Sequence, residues 1–250
     1  MSDRSEVLGQ HSEGQDAAAA HGEFRIRSYV LRQGRLTTAQ GAAIERLSAR
    51  YVISSQTLKE QGAAAVFGRQ APLVVEVGFG MARSFIEMAK NDQERNYLGI
   101  EVHQPGVGAA LLLIEQQGLE NVRIISEDAF LVLRDALPPE SVAVLQVFFP
   151  DPWPKKRHHK RRLINDEFVG MVAPLLEEGG EFRLATDWEE YAQQMLEVLC
   201  RCPLLRNSAP DGTFVPRPKW RPLTKFELRG ERLGHGVWDL VFTKIPAAGA

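Results

Sequence analysis

Two hydrophobic periods alternate along this chain, and from residue 73 onward the switch between them recurs. Leu73 to Val77 is a short apolar run that predicts a buried strand, and Phe79 to Lys90 reads as a turn and then a helix. Tyr97 to Glu101 predicts a second strand, followed by a helix from about Gly106 to Gln117. Val122 to Ser126 is the third strand of the pattern and Val142 to Phe149 the fourth. A helix near Asp166 to Leu176 leads through Glu177-Glu178-Gly179-Gly180 into a fifth strand, Glu181 to Ala185, with another helix from about Trp188 to Leu199. Strands and helices in alternation imply an α/β fold, with a mostly parallel central sheet and helices on both faces. The end of the chain departs from this. Phe226 to Arg232 and Val237 to Lys244 read as two strands around Leu233-Gly234-His235-Gly236, a C-terminal antiparallel hairpin at the sheet edge.

The first 72 residues carry a different pattern. Residues 1–22 are rich in Ser, Gly, Gln and Ala and lack aromatic residues, which predicts a disordered N-terminal tail. Residues 23–72 form an N-terminal arm and helical lead-in. Arg25, Arg27, Arg32 and Arg35 surround Tyr29 in this arm, an arrangement that suits RNA contact or simple cover for the domain. Thr37 with Gln40 three residues later fits a capping box, so a helix from about Thr38 to Arg50 is expected. Residues 73–250 read as one domain, with no internal repeat.

Charge sharpens this picture more than composition does. The net charge is only -2, but Lys155 to Arg162 holds six of the 30 Lys and Arg, leaving 24 elsewhere against 32 Asp and Glu. An acidic body with one basic patch points to a local polyanion contact. Cys200 and Cys202, the only cysteines, are too close on one element for a disulfide and lack the partners of a zinc site, so reduced thiols in a cytoplasmic protein are expected. No apolar run is long enough to span a membrane, and the start lacks a signal-peptide pattern. Nothing in the sequence points to an obligatory protein partner.

The chemistry gathers at the predicted strand ends. Glu76, Glu101, Asp128, Asp151 and Asp187 each stand at or near the end of one of the five parallel strands, where open α/β sheets bind ligands. Asp187 with Glu190 also fits a capping-box-like helix start. The turn through Gly78 and Gly80 lets a ligand approach backbone closely, but Arg83 stands where a dinucleotide fingerprint wants a third glycine. Glu101, 21 residues beyond Gly80, is placed to accept ribose hydroxyls. A ring of carboxylates repels pyrophosphate and favours a cationic, phosphate-free cofactor, for which S-adenosylmethionine is the better fit than NAD. The run Phe148 to Arg162, FFPDPWPKKRHHKRR, then sets one acid in a proline-stiffened loop beside the basic patch. His158 and His159 lie inside that cationic run, which argues against a metal site.

These residues resemble the bacterial tRNA (guanine-N7-)-methyltransferases, from about Ile26 to Lys244. The resemblance rests on RSYVLRQGRLT, VEVGFGMARS, YLGIEVHQPGVG, FFPDPWPKKRHHKRRL, EGGEFRLATDWEEYA and RPLTKFELRG, the PDPWPKKRHHKRR stretch being the most specific. It implies a single-domain class I methyltransferase (Rossmann-like) fold that methylates the variable-loop guanine, position 46, of tRNA. By the same resemblance Glu76, Glu101, Asp128 and Asp151 would bind S-adenosylmethionine, with Asp151 also the catalytic candidate. Lys155, Asp187, Thr224, Lys225, Phe226 and Glu227 would bind the substrate, and Arg157, His158, His159, Lys160, Arg161 and Arg162 would contact RNA. A longer N-terminal tail, and Tyr29 where the family often has Phe, are the departures. Two other readings stay open on the residues alone. One is methylation of an exocyclic amino group, because Asp-Pro-Trp is similar to the loop of amino methyltransferases. The other is a non-catalytic RNA-binding module on the same fold.

Overall fold

The computed structural model describes Ser28, residues 34–224, Glu227 and residues 236–246. Its centre is one sheet in the order β3-β2-β1-β4-β5-β7-β6. Strands β1 (Leu73–Val77), β2 (Asn96–Ile100), β3 (Val122–Ile125), β4 (Val142–Phe148) and β5 (Leu176–Thr186) pair in parallel, as the alternating pattern predicts. All five residues of β1 and of β2 are buried, which explains why both read as continuous apolar runs instead of alternating ones. The chain order steps outward from β1 to β2 and β3, then returns to place β4 on the other side of β1. That reversal opens a crevice beyond the ends of β1 and β4.

Helices cover both faces. The helices α1 (Thr38–Tyr51), α3 (Arg83–Asn91) and α4 (Gln104–Gln117) bury Ala43, Phe85 and Leu111 with Val74 and Ile124 on one side. On the other side α2 (Ser55–Phe67), α5 (Ala129–Ala136), α6 (Asp166–Val172) and α7 (Glu189–Arg201) pack Leu58, Leu133, Phe168 and Met195 against Val75, Leu145 and Phe182. The capping box at α1 is formed: Gln40 N donates to Thr37 Oγ1 at 3.2 Å, and Thr37 N to Gln40 Oε1 at 2.9 Å.

Three elements escape the hydrophobic pattern. Helix α2 is interrupted at Gly62 (φ 76°) and its stretch Ala63-Ala64-Ala65 carries little amphipathic contrast. Helix α5 has only eight residues, and β6 (Leu205–Asn207) only three. The antiparallel edge exists, but its composition differs from expectation. Strand β7 (Trp238–Lys244) pairs antiparallel with β5 on one side and β6 on the other. Of the expected strand Phe226 to Arg232, Glu227 is helical and the rest lies outside the described residues, as does the 1–22 tail. No described helix is long and apolar enough to cross a membrane.

Candidate active site

A cleft opens where the strand order reverses. Val77 and Gly78 at the end of β1, Ile100 and Glu101 at the end of β2, Asp128 beyond β3, and Phe148 to Asp151 at the end of β4 line it. The turn after β1 needs backbone that only glycine adopts without strain, Gly78 at φ 73° and Gly80 at φ 56°. Helix α4 closes on that turn because Gly106 has no side chain: a Cβ there would lie 2.3 Å from the Gly80 carbonyl oxygen. Glu101 locks the same corner, accepting from Gly80 N through Oε2 and from His103 N through Oε1, both at 2.9 Å. Asp128 caps α5 by accepting from Phe130 N at 2.9 Å while facing the cleft. Glu127 also lines the cleft, and its carboxylate accepts from Ser55 N at the start of α2 at 2.9 Å. Four carboxylates thus line the cleft (Glu101, Glu127, Asp128 and Asp151), and none of its described lining residues is Lys or Arg.

The loop after β4 is held in an unusual shape. Phe149 (φ 51°) and Trp153 (φ 44°) both take left-handed backbone, and they flank Pro150-Asp151-Pro152. Each such residue costs on the order of 1–3 kcal/mol and persists where surroundings over-determine it. Those surroundings are visible: Phe149 N donates to Ala185 O at 2.8 Å, and the Trp153 indole N–H donates to Ser28 O at 3.1 Å. The second contact fixes Ser28, which itself lines the cleft. Asp151 is exposed at the mouth.

The basic run is a 3-10 helix, Lys156–Arg161, beginning directly after Lys155. Arg161 lies over the Trp153 ring at 5.0 Å, and His158 meets the same ring edge-on at 5.8 Å. Desolvation, then the charges of Arg157, Arg161, Lys155 and Lys160, hold the His158 imidazole below its ordinary value. Arg157 Nε donates to its Nε2 at 3.3 Å, a bond that the unprotonated ring nitrogen accepts. Arg162 corrects the expectation. Its side chain is 1% exposed, stacked over the Tyr191 ring at 4.9 Å, with Nε donating to Pro152 O at 2.8 Å. It also reaches His159 at 3.1 Å and Glu190 at 3.4 Å. Arg162 therefore braces the Asp151 loop from inside and is not part of an RNA-facing surface.

Other expected residues fall at different depths. Glu76 is inside β1, 2% exposed, and is not among the residues that line the cleft. The capping box expected at Asp187 and Glu190 does not form. Trp188 is the N-cap of α7 without a side-chain bond, and Glu190 turns to Arg162 and His159, leaving Asp187 exposed. Thr224 and Glu227 bond reciprocally, Thr224 N to Glu227 Oε2 at 2.8 Å and Glu227 N to Thr224 Oγ1 at 3.2 Å. Lys225 and Phe226 lie outside the described residues. Sequence reasoning missed Ser28, Glu127 and Phe149 in the lining; Glu127 adjoins Asp128 and could have been found as a second strand-end acid. Among the described residues no group of three His, Cys, Asp or Glu is arranged to hold a metal ion.

Known proteins place this geometry in context. A family model described as "Putative methyltransferase" matches residues 70–240. The tRNA (guanine-N(7)-)-methyltransferase of Idiomarina loihiensis is 53% identical, over 93% of this chain and 95% of its own. The proteins of the same name from Aeromonas hydrophila (51% identical, 92% and 98% covered) and Burkholderia vietnamiensis (50%, 98% and 95%) agree. Among solved structures, a mutant of the 16S rRNA (adenine(1408)-N(1))-methyltransferase from Catenulisporales acidiphilia shares the fold. Its TM-score is 0.50 at 13% identity, over 75% of this chain and 92% of that one. A near full-length match at this identity, on a methyltransferase fold with an acid-lined cleft, establishes that the chain belongs to the tRNA (guanine-N7-)-methyltransferase family.

Proposed function

We propose that this protein transfers a methyl group from S-adenosylmethionine to N7 of a guanine in tRNA, the variable-loop guanine at position 46. The observation that carries the reading is the cleft's charge: four lining carboxylates without a basic residue, directly beside a cationic 3-10 helix. S-Adenosylmethionine supplies an electrophilic methyl on a sulfonium, and brings an ammonium, a ribose diol and an adenine amino group without phosphate. The residues present fit it. Glu101 has lone pairs left for ribose hydroxyls, the Gly78–Gly80 backbone is open to close approach, and Asp128 and Asp151 offer acceptors for its donors and positive charge. Pyrophosphate would meet the same carboxylates as repulsion.

Guanine N7 has a lone pair and no proton to lose, so the protein needs no general base. Its work is to orient the ring and to stabilise the positive charge that spreads over it, which Asp151 does from the rim of the cleft. The guanine edge away from N7 presents N1–H and the N2 amino group, two donors that suit the exposed Asp187 carboxylate. Lys155, Lys156, Arg157, Lys160 and Arg161 face the tRNA phosphates. Incubating defined tRNA transcripts with labelled S-adenosylmethionine and mapping the modified nucleoside tests the whole reading; label on an exocyclic amino group, or none, would overturn it.

Two variants separate the surface cations from the buried one. Replacing Arg157, Lys160 and Arg161 with Gln removes three phosphate contacts and should flatten the log–log salt dependence of tRNA affinity by about 2, at roughly 0.7 per contact. Arg162→Gln should leave that slope nearly unchanged. It should instead lower thermal stability by about 2–3 kcal/mol, because Pro152 O and the Tyr191 face lose their partner. A slope that falls in Arg162→Gln as in the surface variants would restore Arg162 to the RNA track.

A further inference from the structure

Arg221 is among the largest fully buried side chains of the molecule, and the reading above gives it no task. Its guanidinium forks onto Asp239 of β7, Nε to Oδ1 at 2.6 Å and Nη2 to Oδ2 at 2.9 Å. Nη2 also meets Glu227 Oε1 at 2.6 Å, with both side chains 1% exposed. The Cζ stands 5.6 Å from the centroid of the Phe149 ring. Each partner leads toward the site. Asp239 is paired with Ala185, whose carbonyl accepts the Phe149 amide two residues before Asp151. Glu227 closes the reciprocal turn with Thr224. Both Glu227 oxygens are thereby engaged, one by Arg221 and one by Thr224 N, which fixes the orientation of the carboxylate.

We propose that Arg221 is a positioning residue for the substrate side: anchored on Asp239, it holds Glu227, and with it Thr224, in a fixed place beside the Phe149–Asp151 loop. Glu227 is oriented by this lock, and the exposed Asp187 carboxylate is the one offered to the guanine donors. The arrangement has one cation between two acids in a desolvated place, where loss of the cation strands two negative charges. A lysine at position 221 keeps a charge but cannot fork onto Asp239 and reach Glu227 together. The inference deepens the methyltransferase reading and rests on it for the identity of the substrate.

The test uses the full-length protein with Arg221→Lys, Glu227→Gln and the double variant. Arg221→Lys should keep S-adenosylmethionine affinity by calorimetry within about twofold, since neither residue lines the cofactor cleft. Single-turnover methylation of a tRNA transcript should fall at least about 30-fold, and hydrogen exchange of the Thr224 and Glu227 amides, both bonded in the lock, should accelerate about tenfold. The double variant should lose no more than the worse single one, because the two residues act as a unit. Losses that multiply in the double variant, unchanged turnover in Arg221→Lys, or cofactor affinity falling in parallel with turnover would each overturn the proposal. If Arg221→Lys does not fold, Asp239→Asn, which keeps side-chain shape, takes its place under the same criteria. Amide exchange reads the lock without any methyl transfer, so a wild type that fails to methylate tRNA counts against the function and leaves the lock independently measurable.

Discussion

Asp151→Asn should lower single-turnover methylation of tRNA by about 100- to 1,000-fold while changing S-adenosylmethionine affinity only a few-fold. The magnitude is that of removing one preorganised electrostatic partner from a developing charge, roughly 3–4 kcal/mol. Asparagine keeps the shape, and the loop is shaped independently of the carboxylate. Phe149 and Trp153 are held in left-handed backbone by Ala185 O and Ser28 O, and Arg162 grips Pro152 O from below. Geometry therefore survives the substitution and charge does not. The cofactor retains three lining acids, Glu101, Glu127 and Asp128, so ground-state binding is buffered against the loss of one. Charge on the guanine ring has no such reserve, because it grows only as the methyl arrives. Calorimetry with S-adenosylmethionine beside rapid-quench methylation of a transcript checks this split. Near wild-type turnover in Asp151→Asn would remove Asp151 from the chemistry.

The parallel sheet was legible because its central strands are buried on both sides and so appear as plain apolar runs, Leu73 to Val77 being the cleanest. The strand-end acids were legible for a related reason: a carboxylate closing such a run is conspicuous. Depth was not legible. Glu76 and Val77 are adjacent letters and both are buried, yet only Val77 reaches the cleft wall. Arg162 shows the same limit in the basic patch. A run of six cations reads as uniformly solvated, but the 3-10 helix ends at Arg161 and carries the next side chain inward onto Tyr191. Long-range partners stayed invisible as well. Nothing local marks Arg221 as bound to Asp239, eighteen residues later, or couples Trp153 to Ser28. The pairing of β7 with β6 belongs to this class too, since three residues of β6 carry too little pattern to announce a strand.

Glu76→Gln should stabilise the protein, increasingly so toward alkaline pH. Burial within β1 pushes the Glu76 carboxyl from 4.5 up to about 8. The folded state thus keeps a proton that the unfolded chain has released. The resulting stability is fully present below about pH 4.5 and is lost progressively as pH rises to about 8, at about 1.4 kcal/mol per pH unit. Glutamine is neutral throughout and removes that slope. It also suits its neighbours: Glu76 pairs in register with Gln146 of β4, and Glu76 Oε2 and Gln146 Oε1 are both buried without a protein hydrogen bond among the described residues. An amide at position 76 brings a permanent donor to this place, where the acid has one only while protonated. At pH 8 the melting temperature of Glu76→Gln should exceed that of wild type by roughly 10 °C, since the slope accumulates to ~4 kcal/mol by then, at about 2–4 °C per kcal/mol for a chain of this size. At pH 5 the two should nearly coincide. Because Glu76 does not line the cleft, the same substitution should weaken S-adenosylmethionine binding less than Glu101→Gln does. Thermal scans across pH 5 to 8.5 with calorimetry on both variants decide the matter. Parallel melting curves would show that Glu76 is ionised in the fold, and a larger affinity loss at position 76 than at 101 would make it a direct cofactor ligand.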